Sequence, residues 1–212
     1  DQFYNKYQAK WIGLTGLEED ELSRRDMQYL ESKLLEYKCV PIFPDPVDYE
    51  QYLHGFSRNT IWPLFHYFTQ NTEYDDCEWA AYVRVNRQYA EKILQLADEG
   101  DIVWIHDFHL MLLPDMIKER MPRVSIGIFL HIPFPSFEIF RLLPWREEIL
   151  QGMLGADLVG FHTYDYVRHF LSCVRRIFGY ETVFNRIRIG ERTLKVDAFP
   201  KGINAERFAS KA

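Results

Sequence analysis

Four short stretches of this chain place groups able to bind ligands or move protons directly after apolar runs. They are HDFHL at 106–110, HIPFP at 131–135, HTYD at 162–165 and PKGIN at 200–204. Together they supply His106, Asp107, His109, His131, His162, Thr163, Lys201 and Asn204. Metal binding is one chemistry for His and Asp. His106 and Asp107, however, are adjacent and point apart, and no carboxylate-rich cluster completes a coordination sphere, so no metal is expected. Nucleophilic catalysis needs a serine or cysteine activated by a base. Cys39, Cys77 and Cys173 fall at strand starts or in core-like stripes, and no nucleophile elbow is present. A hydrogen-bonding site for a hydroxyl-rich ligand fits the set better. A carboxylate such as Asp107 accepts hydrogen bonds from neighbouring hydroxyls, and histidines donate or accept.

The second stretch is the most constrained. In IGIFLHIPFPSFEIF, residues 126–140, two prolines remove backbone donors and hold Ile132 and Phe134 extended. A stiff segment of this kind fixes the depth of His131. Alone, it is equally met by a buried loop with a hydrogen-bonded histidine. Trp62 lies before Pro63 in GFSRNTIWPLFHY, residues 55–67, and so is biased out of a regular helix to a bend or a helix start. It reads either as core filler or as part of a site.

The elements that must position these residues alternate along the chain. Strands are expected at Lys10–Leu14, Cys39–Phe43, Ile102–Ile105, Ser125–Leu130, Asp157–Phe161 and Val196–Phe199. Between them, Trp79, Val83, Ala90, Ile93 and Ala97 form one helical stripe, with Asn86 an odd polar member. Val167, Phe170, Leu171, Val174, Ile177 and Phe178 form another. RIRIGERTLKVDAF reads as a hairpin with Gly190 in its turn. Strands apolar on both faces and separated by helices predict an α/β domain, a doubly wound, mostly parallel sheet of Rossmann type. Such sheets bind ligands at the carboxyl ends of their strands, which is where the four polar stretches fall.

Composition narrows the function classes. The net charge is −6 with no basic run, so nothing suggests a nucleic-acid or membrane-surface partner. No apolar run is long enough for a membrane span, the start has no signal-peptide pattern, and three scattered cysteines make no disulfide framework. A reduced, cytoplasmic setting is the expectation. Both ends read as cut, and the glycine-rich phosphate turn usual in such folds is absent. The chain is therefore expected to be part of a larger enzyme. A cut sheet leaves an unpaired edge, so self-association into a homo-oligomer or poor solubility is expected.

The segments WIGLTG, GFSRNTIWPLFHY, YVRVNRQYAEKI, DIVWIHDFHLMLLP, VSIGIFLHIPFPSFEIFRLLPWREEIL and DLVGFHTYDYVRHFL, in this order, resemble trehalose-6-phosphate synthases across nearly the whole chain. The resemblance implies a Rossmann-like half of a retaining GT-B glycosyltransferase. Residues 1–212 would form its N-terminal, acceptor-side domain, without the first strand, its glycine-rich loop and the donor domain. The implied reaction moves glucose from UDP-glucose to glucose-6-phosphate, with no metal or other cofactor. By matching motifs, Asp107 corresponds to the carboxylate on acceptor hydroxyls, supported by His109, and His131 to the histidine on the transferred glucose. Trp62 and Ile132 correspond to the pair that selects the acceptor anomer, and Trp11 to a tryptophan near the active-site loop.

One departure stands out. The family's tyrosine for the acceptor phosphate falls at Leu53, so Tyr52 or His54 takes its place, phosphate is held more weakly, or the acceptor differs. Two further readings stay open: transfer to another phosphorylated acceptor such as glycerol-3-phosphate, and a non-catalytic sugar-phosphate sensor. The isolated chain is expected to be inactive, and a fused trehalose-phosphatase domain is allowed in the parent protein.

Overall fold

Short runs that are apolar on both faces become strands, and longer one-sided stripes become helices. The computed structural model describes residues 9–16, 23–202 and 205. Strands β1 (Trp11–Leu14) and β2 (Cys39–Ile42) pair in parallel as a two-stranded sheet. A six-stranded sheet runs in the order β3-β4-β5-β8-β7-β6. Its members are β3 (Ile102–His106), β4 (Ser125–Phe129), β5 (Leu158–Phe161), β6 (Thr182–Val183), β7 (Arg186–Ile189) and β8 (Arg192–Ala198). The neighbours β3, β4, β5 and β8 are parallel, while β7 and β6 extend the sheet antiparallel. Gly190, at φ 60, makes the expected hairpin turn. The strand expected at Val196–Phe199 is the far end of β8, because one strand serves both the hairpin and the parallel ladder.

In chain order the helices are α1 (Arg24–Glu36), α2 (Pro46–Glu50), a π-helix (Gln51–Ile61), α3 (Trp62–Phe65), α4 (Asp76–Leu96), α5 (Leu113–Arg120), α6 (Phe137–Phe140), α7 (Arg146–Leu154) and α8 (Tyr164–Phe178). Asp75 caps α4 by accepting from the Cys77 and Glu78 amides. Thr163 caps α8, and Gly179 ends it in the left-handed conformation. The α8 stripe buries Val167, Phe170 and Val174 as expected, with Leu171, Ile177 and Phe178 at its margin. In α4 the buried line is rotated. Asn86, Ala90 and Ile93 of the expected stripe are buried, joined by Ala81, Tyr82, Val85 and Tyr89, while Trp79, Val83 and Ala97 are only partly buried. The π-helix covers one flank of α4 and draws in the tyrosines, whose hydroxyls find partners inside.

Two expectations need correction. β3 is not buried on both faces: it is an edge among the described residues, and Ile102 and Trp104 are exposed. Trp62 does begin a helix, yet it stays in the right-handed helical region at φ −56, ψ −55. The chain passes from π-helix to α3 there without an extended residue.

Helices α5 and α7 cross at two glycines. A Cβ on Gly155 would lie 2.2 Å from the Asp115 nitrogen, and one on Gly152 would lie 2.5 Å from the Met111 carbonyl. Backbones this close leave no room for a methyl, so the crossing fixes the loop between β3 and α5. Gly152→Ala is expected to lower stability by about 1–3 kcal/mol, the usual scale of overpacking, read as a reduced midpoint in urea unfolding.

Candidate active site

Asp107 follows β3 in a backbone conformation that L-residues rarely adopt, φ 71 and ψ 177. Strain of this kind costs about 1–3 kcal/mol and persists only where surroundings over-determine it. Here its amide donates to the Phe129 carbonyl at 2.8 Å, and its Oδ1 accepts from the His131 amide at 3.1 Å. The ends of β3 and β4 are thereby stitched together. Leu130 donates in turn to the Gly160 carbonyl, and Phe199 to that of Phe161. Among the described residues no protein donor pairs with Asp107 Oδ2.

On one side of Asp107 lies a cleft of about 480 Å³ lined by Leu53, Arg58, Trp62, Asp107, Phe108 and His109. The half-exposed Trp62 ring stands 5.8 Å from Phe108, whose own ring lies 4.0 Å from that of His109. Beyond the residues that line the cleft, three histidines meet near Asp107. His106 Nδ1 and His131 Nε2 are 3.1 Å apart with their rings stacked, and His162 approaches His131 at 5.4 Å between centroids. Trp11 stacks on His106 at 6.1 Å. Among the described residues no group of three or more His, Cys, Asp or Glu is arranged to hold a metal ion.

Burial lowers the pKa of His106, His109 and His131, and in each the Asp107 charge works in the opposite direction. Arg58 lowers His109 further, and Lys201 lowers His106 and His131. Burial thus favours the neutral form of His106, His109 and His131, with one donor and one acceptor nitrogen each. Of the His106–His131 pair, one ring donates and the other accepts.

The 107–111 loop is held from beneath. Tyr82 donates to the Phe108 carbonyl at 2.7 Å and accepts from the Met111 amide at 3.0 Å. Tyr52 and Asn86 both donate to the His109 carbonyl at 3.1 Å. Burial raises the pKa of both tyrosines well above the usual value, which keeps their hydroxyls protonated.

The residues expected at the site thus separate. Asp107, His109 and Trp62 line the cleft, while His131, bonded to Asp107 through its amide, clusters with His106, His162 and, through His106, Trp11 outside that lining. Tyr52 does not face the cleft: it is buried and its hydroxyl is used by the loop, so it supports rather than contacts a ligand. Ile132 is likewise buried, packed in the core behind the site. Thr163 serves as a helix cap, and Asn204 lies outside the described residues. His54 pairs with Arg58. The residue missed by sequence reasoning is Arg58, five positions after Leu53. An α-helical wheel sets those two about 140° apart, and only the π-helix brings both to the cleft.

The family model described as Glycosyltransferase family 20 matches residues 1–212. The chain is 44% identical over 198 residues to the UDP-forming alpha,alpha-trehalose-phosphate synthase A of Dictyostelium discoideum, covering 93% of this chain and 27% of that protein. Among solved structures it is similar to a UDP-forming alpha,alpha-trehalose-phosphate synthase from Burkholderia xenovorans, with TM-score 0.82, 31% identity, and 95% and 44% of the two chains covered. It is also similar to the N-terminal domain of a trehalose-6-phosphate phosphatase from Candida albicans, with TM-score 0.78, 36% identity, and 92% and 42% covered. The chain thus spans between about a quarter and a half of the length of these relatives.

Removing the Tyr82 hydroxyl leaves a buried carbonyl and a buried amide unpaired. Tyr82→Phe is expected to cost about 1–3 kcal/mol, measured by urea unfolding. The histidines give a second expectation. Because their folded-state pKa values lie below 6.5, the unfolded chain binds more protons as pH falls through that value, and stability drops with it. NMR titration should find His106, His109 and His131 all below 6.5, and a unit-wide shift of all three above it would contradict the burial argument.

Proposed function

The chain belongs to glycosyltransferase family 20, and we propose that residues 1–212 are the acceptor-side domain of a UDP-forming trehalose-phosphate synthase. The observation that carries the reading is the open Oδ2 of Asp107 beside His109 and the Trp62 ring, with His131 one hydrogen bond away. In that arrangement the acceptor, glucose-6-phosphate, places hydroxyls on Asp107 and His109, with Trp62 as an apolar wall. His131 meets the glucose carried by UDP.

Transfer with retention forms a bond from the acceptor hydroxyl oxygen to the glucose C1 as the C1–oxygen bond to the diphosphate breaks on the same face. The hydroxyl proton passes to the departing phosphate, giving UDP and trehalose-6-phosphate. No side chain of this domain is assigned as a nucleophile. Its contribution is orientation, which alone supplies several kcal/mol of barrier reduction. Groups that neutralise the leaving diphosphate belong, on this reading, to the rest of the protein.

The similarity to the N-terminal domain of a phosphatase supports a parent protein in which a phosphatase domain follows and acts on the product. Among the described residues no helix is long and apolar enough to cross a membrane.

The test is UDP release from UDP-glucose by the intact protein, with glucose-6-phosphate and glycerol-3-phosphate offered separately. Asp107→Asn, which keeps an acceptor for the His131 amide, is expected to lower kcat/KM by roughly 10–100-fold, the scale of turning charge-assisted hydrogen bonds into neutral ones, with its circular dichroism unchanged. Release with glycerol-3-phosphate alone would change the acceptor. Release with neither would leave a sugar-phosphate-binding protein without turnover.

A further inference from the structure

A phosphorylated acceptor needs a cation or strong donor for its anionic group. The leucine at position 53 lines the cleft and supplies neither. Among the described residues that line the cleft, Arg58 alone carries a fixed positive charge. It is solvent-exposed, and its Nη1 lies 2.9 Å from Nδ1 of His54. Nδ1 must accept there, so the His54 proton sits on Nε2, which faces Glu50 at 3.9 Å. One guanidinium nitrogen is thus held while the rest of the fork remains available, and a guanidinium fork matches a phosphate in a bidentate manner. The Arg58 charge also reaches the site, since it lowers His109. Finally, Arg58 stands on a π-helix, a rare geometry frequent at functional sites, in which residues five apart share a side.

We propose that Arg58 anchors the phosphate ester of the acceptor from the π-helix wall of the cleft, in place of a donor at position 53. The proposal rests on the transfer reading above for the identity of the acceptor. His54 is then a positioning residue for the guanidinium.

The experiment is isothermal titration of the intact protein, in the presence of UDP, with glucose-6-phosphate and with glucose. Wild type, Arg58→Gln, Arg58→Lys and the double variant Leu53→Tyr with Arg58→Gln are compared. Arg58→Gln is expected to weaken glucose-6-phosphate binding roughly 10–100-fold and leave glucose unchanged. Arg58→Lys should fall between, and the added tyrosine should restore part of the loss. An unfolded or generally distorted variant would lose both sugars alike, so the ratio of the two affinities isolates the anion contact. An unchanged ratio in Arg58→Gln overturns the proposal, as does a wild type that binds both sugars equally. UDP release measured on the same samples judges the transfer reading separately. Preference for the phosphate without release removes transfer and keeps the anchor. Release with an unchanged preference in Arg58→Gln removes the anchor and keeps transfer.

Discussion

The site depends on one strained residue. Asp107 occupies a backbone conformation that costs about 1–3 kcal/mol, and it does so because its amide and its carboxylate are each engaged by the neighbouring strand end. The amide reaches Phe129 and the carboxylate takes the His131 amide, so the strain of one residue registers two strands against each other. The same geometry turns the chain sharply enough that His106 faces the histidine cluster while His109 lines the cleft. A residue relaxed to ordinary extended geometry would carry the chain straight on and separate these groups.

The strain is sustained from below by a layer that is polar where a core is usually apolar. Tyr52, Tyr82 and Asn86 are buried, and each donates to a carbonyl of the 107–111 loop or of its own helix. Hydrogen bonds of this kind contribute only about 1 kcal/mol each net. Their directionality matters more, because an apolar contact tolerates sliding and a buried donor does not. Tyr82 is bonded at both ends of the loop, to the Phe108 carbonyl and the Met111 amide. From the other side, the α5–α7 crossing at Gly152 and Gly155 presses backbone on backbone and closes off alternative paths for the loop. Rigidity at Asp107 is thus distributed over the π-helix, α4 and α7, elements far apart in sequence.

The π-helix has a second consequence. It supplies the buried support residue Tyr52 and the cleft residues Leu53 and Arg58 from one wide turn sequence, and Trp62 follows at its end. One element therefore couples the foundation of the loop to the wall of the cleft. A glycine approach lies here as well: a Cβ on Gly55 would lie 2.6 Å from the Glu78 carboxyl carbon. The Glu78 side chain of α4 thus packs directly over the Gly55 backbone.

By itself the sequence determined the strand and helix alternation, the parallel character of the central sheet and the hairpin at Gly190, because alternation and turn chemistry are local properties. It also determined that His106, Asp107, His109 and His131 would meet at one edge, since each directly follows an apolar run and strand ends share an edge in such sheets. Tertiary structure decided what local patterns cannot carry. The buried line of α4 turned toward its tyrosines because of what packs on it. Tyr52 turned inward because the His109 carbonyl needed a donor. Arg58 reached the cleft because five residues in a π-helix return to the same side, whereas the α-helical period used to read a sequence sends them apart. Local periodicity specifies which elements form. Which side chain of an element meets a ligand is fixed by the backbone geometry of contacts distant in sequence.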